Sequence, residues 1–104
     1  MQKEGKIYQS PFFGLIVNKR QVTSDKEDAS RFGFIVSKRI SRKAVERNRV
    51  KRLLSEAVRR LLPRIKLGWE GVFLAKKTIL GRGFKEVLRE VERVFEKAEV
   101  LLKT

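Results

Sequence analysis

Neither cysteine nor histidine occurs in the 104 residues. Disulfides, Cys/His zinc sites, thiol nucleophiles and the commonest general base are thereby excluded together. Acids are scarce too: 12 Asp and Glu stand against 26 Lys and Arg, for a formal charge of +14. No apolar run approaches the roughly 18 residues that a membrane span needs, and the start lacks the apolar stretch of a signal peptide. Cytoplasm is the expected compartment, with no membrane partner. The hydrophobic content, 41%, argues against disorder, and the length suits a single domain over 1–104 with a modest core.

The placement of the charge is more informative than its size. Residues 1–30 carry five bases and four acids, 67–84 three and one, and 85–104 five of each. Residues 31–66 hold thirteen bases against Glu46 and Glu56, and so supply +11 of the total. A merely solubilising charge would be spread more evenly. This concentration is a footprint for a phosphate backbone.

Most of it falls on SRKAVERNRVKRLLSEAVRRLLP (41–63). Val50, Leu53, Leu54, Ala57, Val58, Leu61 and Leu62 recur at the three-and-four spacing of a helix with one buried stripe. At about 100° per residue, Asn48, Arg52, Ser55 and Arg59 run down the opposite face. Arg49, Glu56 and Arg60 flank that row, and Arg47 and Lys51 lie near the other seam. Ser41 is the expected N-cap and Glu46 suits the first turn. Pro63 should end or kink the helix after Leu62. Arg42, Lys43, Arg47, Arg49, Lys51, Arg52, Arg59 and Arg60 have only Glu46 and Glu56 for relief, so an ordinary solvated face is a poor reading. Bound polyanion would offset the repulsion, and the excess of Arg over Lys favours bidentate phosphate contacts.

Around this helix the pattern predicts a small α+β sandwich in the order strand, strand, helix, strand, helix. Residues 1–11 read as a short irregular start, and the sandwich as 12–104. FFGLIVNK (12–19) alternates, with Phe13, Leu15 and Val17 on one face and Phe12, Ile16 and Asn18 on the other. Gly14 leaves a gap on that second face where a ligand can approach. RQVTSDKEDAS (20–30) reads as a hairpin loop. FGFIVSKR (32–39) is the second strand, with Phe32, Phe34 and Val36 on one face, and GVFLAKK (71–77) is the third. From Phe84, the positions of Val87, Leu88, Val91, Val94, Phe95, Ala98 and Leu102 give a second amphipathic helix, supported by Glu86–Arg89 and Glu99–Lys103. Most strand phenylalanines belong to the core. Phe12 is the preferred platform for stacking an unpaired base, and Trp69 a packing residue at a loop. The carboxylates form no recognisable dyad for Mg²⁺, so hydrolysis by the protein itself is not expected.

At FGFIVSKRISRKAVERNRVKRLLSEAVRR the sequence resembles the protein component of bacterial ribonuclease P. The resemblance rests on Val36-Ser37-Lys38-Arg39, the basic connector, and Arg47-Asn48-Arg49 followed by Val50-Lys51-Arg52-Leu53; the VFLAKK strand and closing helix also fit. A bare Arg-Asn-Arg is a worthless signal, but the extended motif in this setting is highly specific. The resemblance implies a protein that assists a catalytic RNA, which with Mg²⁺ removes the 5′ leader of precursor tRNA. It implies a left-handed crossover between the two parallel strands flanking the basic helix, against the general rule. Arg42, Lys43, Arg47, Asn48, Arg49, Lys51, Arg52, Arg59 and Arg60 are then expected to contact the catalytic RNA. Phe12, Phe34, Ser37, Lys38, Arg39, Lys76 and Lys77 are the candidates for the leader cleft. No residue is expected to be catalytic or to hold metal, since the RNA and substrate hold the Mg²⁺. Family members usually carry a basic segment and an aromatic-bearing helix ahead of the position matching Gly5, where this sequence has only MQKE. The main alternative is a structural rRNA-binding ribosomal protein, which needs the same charge and a similar fold.

Overall fold

The computed structural model describes residues 5–19 and 30–102. Four strands, β1 (Lys6–Gln9), β2 (Phe13–Lys19), β3 (Arg31–Ile35) and β4 (Trp69–Ala75), form one sheet with the spatial order β1-β2-β4-β3. Helices α1 (Ala44–Leu61) and α2 (Phe84–Lys97) follow β3 and β4. This is the α+β, two-layer arrangement expected, with one strand more.

The added strand is β1, in the segment expected to be irregular. Its four residues pair antiparallel with β2, from Lys6 opposite Val17 to Gln9 opposite Gly14. Three of the four are exposed, so an edge strand this short leaves almost no periodic signal. The hairpin reading of 20–30 is also corrected. Residues 20–29 lie outside the described residues, but β2 and β3 are not neighbours. β4 lies between them, antiparallel to β2 and parallel to β3. Parallel neighbours need a crossover connection, and here α1 supplies it.

The strand faces follow the alternation. Phe13, Leu15 and Val17 are buried with Phe73 under the two helices. Phe73 is the hub, with Phe13, Phe34, Phe95 and Phe32 at 5.1, 5.4, 5.9 and 6.2 Å between ring centroids. A Cβ on Gly71 would come within 3.0 Å of the Ile16 carbonyl oxygen and 3.1 Å of the Phe32 ring. Only glycine lets β2 and Phe32 approach β4 so closely.

α1 buries Val50, Leu54, Ala57, Val58 and Leu61. Leu62, assigned to the stripe by spacing, is 51% exposed, because the chain has passed into a 3₁₀ turn (Leu62–Arg64) that carries Pro63. The N-cap is Lys43 rather than Ser41 and makes no side-chain cap bond. A turn at 38–40 delays the helix start. Ser41 Oγ accepts the Lys43 N–H at 3.1 Å and donates to Glu46. β3, the second strand expected from sequence, likewise ends at Ile35, four residues before the expected Arg39.

α2 buries Val87, Val91, Val94 and Phe95 but ends at Lys97, short of the expected Leu102. Glu99 takes a left-handed conformation (φ 60°), and the Val100 N–H returns to the Phe95 carbonyl at 3.0 Å, a Schellman closure. Glu99 therefore cannot support the helix through Lys103, which lies outside the described residues. Leu101 instead bridges Ile65, and Leu102 is exposed. Glu86 pairs with Arg82 at 3.5 Å rather than with Arg89. Among the described residues no helix is long and apolar enough to cross a membrane.

Candidate RNA-binding surface

With its apolar stripe fixed against the sheet, α1 has one face left for solvent. Arg42, Lys43, Asn48, Arg49, Lys51, Arg52, Arg59 and Arg60 are all exposed there or just before it. Arg47 is half-buried, and its guanidinium donates to the Ser41 carbonyl at 2.9 Å, so it braces the helix entry. Both acids of the stretch are held locally: Glu46 accepts from Ser41, and Glu56 pairs with Arg59 at 3.3 Å. Of the central row Asn48, Arg52, Ser55 and Arg59, only Arg59 is met by one of these acids.

Two residues at the entrance of α2 join this face, and sequence reasoning did not single them out. The Arg49 guanidinium donates to the Arg82 carbonyl at 3.4 Å. Phe84 lies under Arg60, whose guanidinium is 5.4 Å from the ring centroid. A shallow hollow beside Phe84 is bordered by Arg49, Arg52, Leu53 and Glu56. The missed signal was the pair of helix starts: two helices packed together bring the first turn of one against the flank of the other.

The sheet face turned away from the helices is open. It carries Ile7, Ile16, Ile35, Val72 and Leu74 by register, with Ile7 63% and Ile35 51% exposed. The expected gap at Gly14 is filled, since the Gln9 side chain lies within van der Waals reach of a Cβ built there. Gly33 in β3 is the open position, with nothing within 4 Å.

The proposed cleft residues divide into two groups. Ser37, Lys38, Arg39 and Lys77 are exposed at the end of the sheet where β3 and β4 finish. Lys76 reaches the same end but spends its ammonium on the Ser10 carbonyl, 2.8 Å away. Phe34 points to the helix side and stacks on Phe73 at an interplanar angle of 18°, away from the open face. Phe12 precedes β2 and is half-buried, with the Arg82 guanidinium 5.1 Å from its ring centroid. Trp69 opens β4 instead of lying in a loop, and its backbone N–H donates to Ser30 Oγ at 3.0 Å.

Behind this end, Ser10 is buried and donates to Glu90 Oε1 at 2.9 Å. Arg93 binds the same carboxylate at 2.8 Å. The Arg93 hydrogen bond holds the Glu90 carboxyl below its ordinary value, with partial burial working against it and Ser10 adding to it.

An exposed guanidinium row on a helix whose back is locked to a sheet, with no three carboxylates gathered among the described residues, defines a nucleic-acid-binding α+β domain. The family model described as Ribonuclease P matches residues 1–99. The chain is 35% identical over 97 residues to the ribonuclease P protein component of Microcystis aeruginosa, covering 93% of this chain and 80% of that one. It is 37% identical over 98 residues to that of Clostridium perfringens, covering 92% and 78%. Among solved structures, the RNase P protein from Thermotoga maritima superposes with a TM-score of 0.78 at 26% identity, covering 90% of this chain and 84% of that one. The chain belongs to the ribonuclease P protein family. It is the protein component of that endoribonuclease, an RNA-binding partner of the ribonuclease P RNA in tRNA processing.

Proposed function

We propose that the exposed face of α1 docks the catalytic RNA through Arg42, Lys43, Asn48, Arg49, Lys51, Arg52, Arg59 and Arg60. The carrying observation is the exposure of those groups while both nearby acids are engaged within the helix stretch. Guanidinium groups in such a row match phosphate oxygens bidentately and release counterions on binding.

The single-stranded 5′ leader of precursor tRNA lies along the open sheet face and its upper end. Ile7, Ile35 and Leu74 offer exposed apolar contact to bases, Gly33 leaves room for close approach, and Lys38, Arg39 and Lys77 meet phosphates. Mg²⁺ remains with the RNA subunit and the substrate. The protein's work is neutralising repulsion between two RNAs, which lowers the Mg²⁺ the reaction needs.

The test is cleavage of a precursor tRNA at low Mg²⁺ by protein alone, a bacterial ribonuclease P RNA alone, and both together. Activity only in the mixture, with mature 5′ ends, is expected. A mixture no better than the RNA alone, or cleavage by the protein alone, would overturn the proposal.

A further inference from the structure

A second basic concavity lies on the helix side of the sheet, at the end opposite the one where β3 and β4 finish. Its volume is about 440 Å³, within the ~300–1,000 Å³ of ordinary ligand sites. Four lysines border it from four separate segments: Lys6 from β1, Lys19 from β2, Lys66 from the turn before β4, and Lys97 from the last turn of α2. Lys97 alone would be explained as the complement of a helix C-terminus, but the other three have no such reason to gather. None of the four makes an ion pair among the described residues. Glu99 is the sole acid in the lining.

Aromatic rings stand on two sides of the same hollow. Tyr8 rises from β1 and Trp69 from the start of β4, and both are half-buried. The register explains why there is space between them. Val17, opposite Lys6 in the register, puts one small side chain on the floor. Lys19 Nζ sits 6.0 Å from the Trp69 ring centroid. Lysines at the rim and aromatic walls within are the two elements that hold single-stranded nucleic acid, the first for phosphate and the second for a base.

We propose that this hollow is a second RNA-binding site, separate from α1 and from the open sheet face, that takes one unstacked nucleotide of a single-stranded segment. The phosphate lies among Lys6, Lys66 and Lys97, and the base packs against Tyr8 and Trp69. The proposal rests on the chain's RNA-binding role but on none of the residues assigned to catalytic-RNA docking or the leader.

Trp69 is the only tryptophan in the sequence, so its fluorescence reports on this site alone. The full-length protein is titrated at low salt with an adenosine pentanucleotide RNA. Saturable, salt-sensitive quenching is expected. The double variant Lys66→Gln/Lys97→Gln should weaken it at least about fivefold, as loss of two phosphate contacts requires, while Arg49→Ala/Arg52→Ala shifts it less than about twofold. An unchanged thermal melt for each variant excludes unfolding. No quenching at saturating RNA, or quenching kept by the lysine variant and lost by the arginine variant, would overturn the site.

The source of the nucleotide is separated by two further assays of the lysine variant. Weaker binding only of precursors with long leaders assigns it to the substrate, and weaker binding of ribonuclease P RNA itself assigns it to the catalytic RNA. If both were unchanged, the site would have no role in the complex and the proposal would fail, with the low-Mg²⁺ cleavage result left standing.

Discussion

The Arg82 guanidinium covers one face of the Phe12 ring at 5.1 Å, and the Arg82 carbonyl accepts a hydrogen bond from Arg49 of α1. Through these two contacts the start of β2, the entrance of α2 and the basic helix form one connected corner. An arginine and an aromatic ring in this arrangement attract each other through the ring's quadrupole. The residue best suited by sequence to stack on a base is thus already half-occupied by a protein cation.

With one ring face left for a base and Arg82 holding the ring in place, Phe12→Ala should lower affinity for leader-bearing precursor while sparing mature tRNA, and Arg82→Ala should act in the same direction. In urea unfolding, a double-mutant cycle of the two should show a coupling of about 0.5–1 kcal/mol. Equal losses for both tRNA substrates would instead mark a folding defect.

For the helix face, the informative quantity is the salt dependence. Arg49→Ala and Arg52→Ala should each weaken binding to the catalytic RNA and flatten the plot of log K against log salt by roughly one contact, about 0.7–0.9 in slope. Affinity and slope both unchanged in both variants would remove α1 as the docking surface.

Glu99 holds a left-handed conformation that favours glycine. Replacing it by glycine should stabilise the fold by about 1 kcal/mol in chemical denaturation, the usual cost of a side chain in that region. Loss of stability would mean that the Glu99 carboxylate contributes more than its backbone costs.

Glu90 sets an acid limit. Its folded carboxyl titrates below the ordinary value of 4.5, chiefly through its bond from Arg93. A depressed folded value means that the stabilisation is complete above the unfolded value and fades as pH falls through the folded one. Glu90→Gln should thus be less stable than the parent at neutral pH, with the gap narrowing as the pH drops below about 4.5. A gap independent of pH would assign the effect to Ser10 packing alone.

How much of this was legible depended on the range over which each signal acts. The α1 stripe and its cationic back are periodic over eighteen residues, and both were readable, down to Arg49 and Arg60 sharing a flank. The alternation of Phe13, Leu15 and Val17 was equally plain. β1 was invisible because its four residues gain their conformation from pairing with β2 and not from their own pattern. The order of strands was hidden for the same reason: nothing local in β2 or β3 says that β4 will separate them. Phe34 shows the limit for single residues: alternation puts it on one face with Phe32 and Val36, but only the position of Phe73 shows that this face meets the helices and that the ring is spent in the core rather than in the leader cleft. Arg82 and Phe84 lie beyond the helix that drew attention, and the lysine hollow draws on four segments that no window of sequence unites.

The insertion of β4 between β2 and β3 also orders events in time. During synthesis, β1 and β2 can pair as soon as they are made, whereas β3 has no neighbour until Trp69–Ala75 exists. At about 5–20 residues per second, the whole of α1 is made before the strand that seats β3. A nascent chain thus presents its cations first and the support that aligns them last. Chains that stop short of Trp69 carry the charge of an RNA-binding face without the platform that gives it a shape.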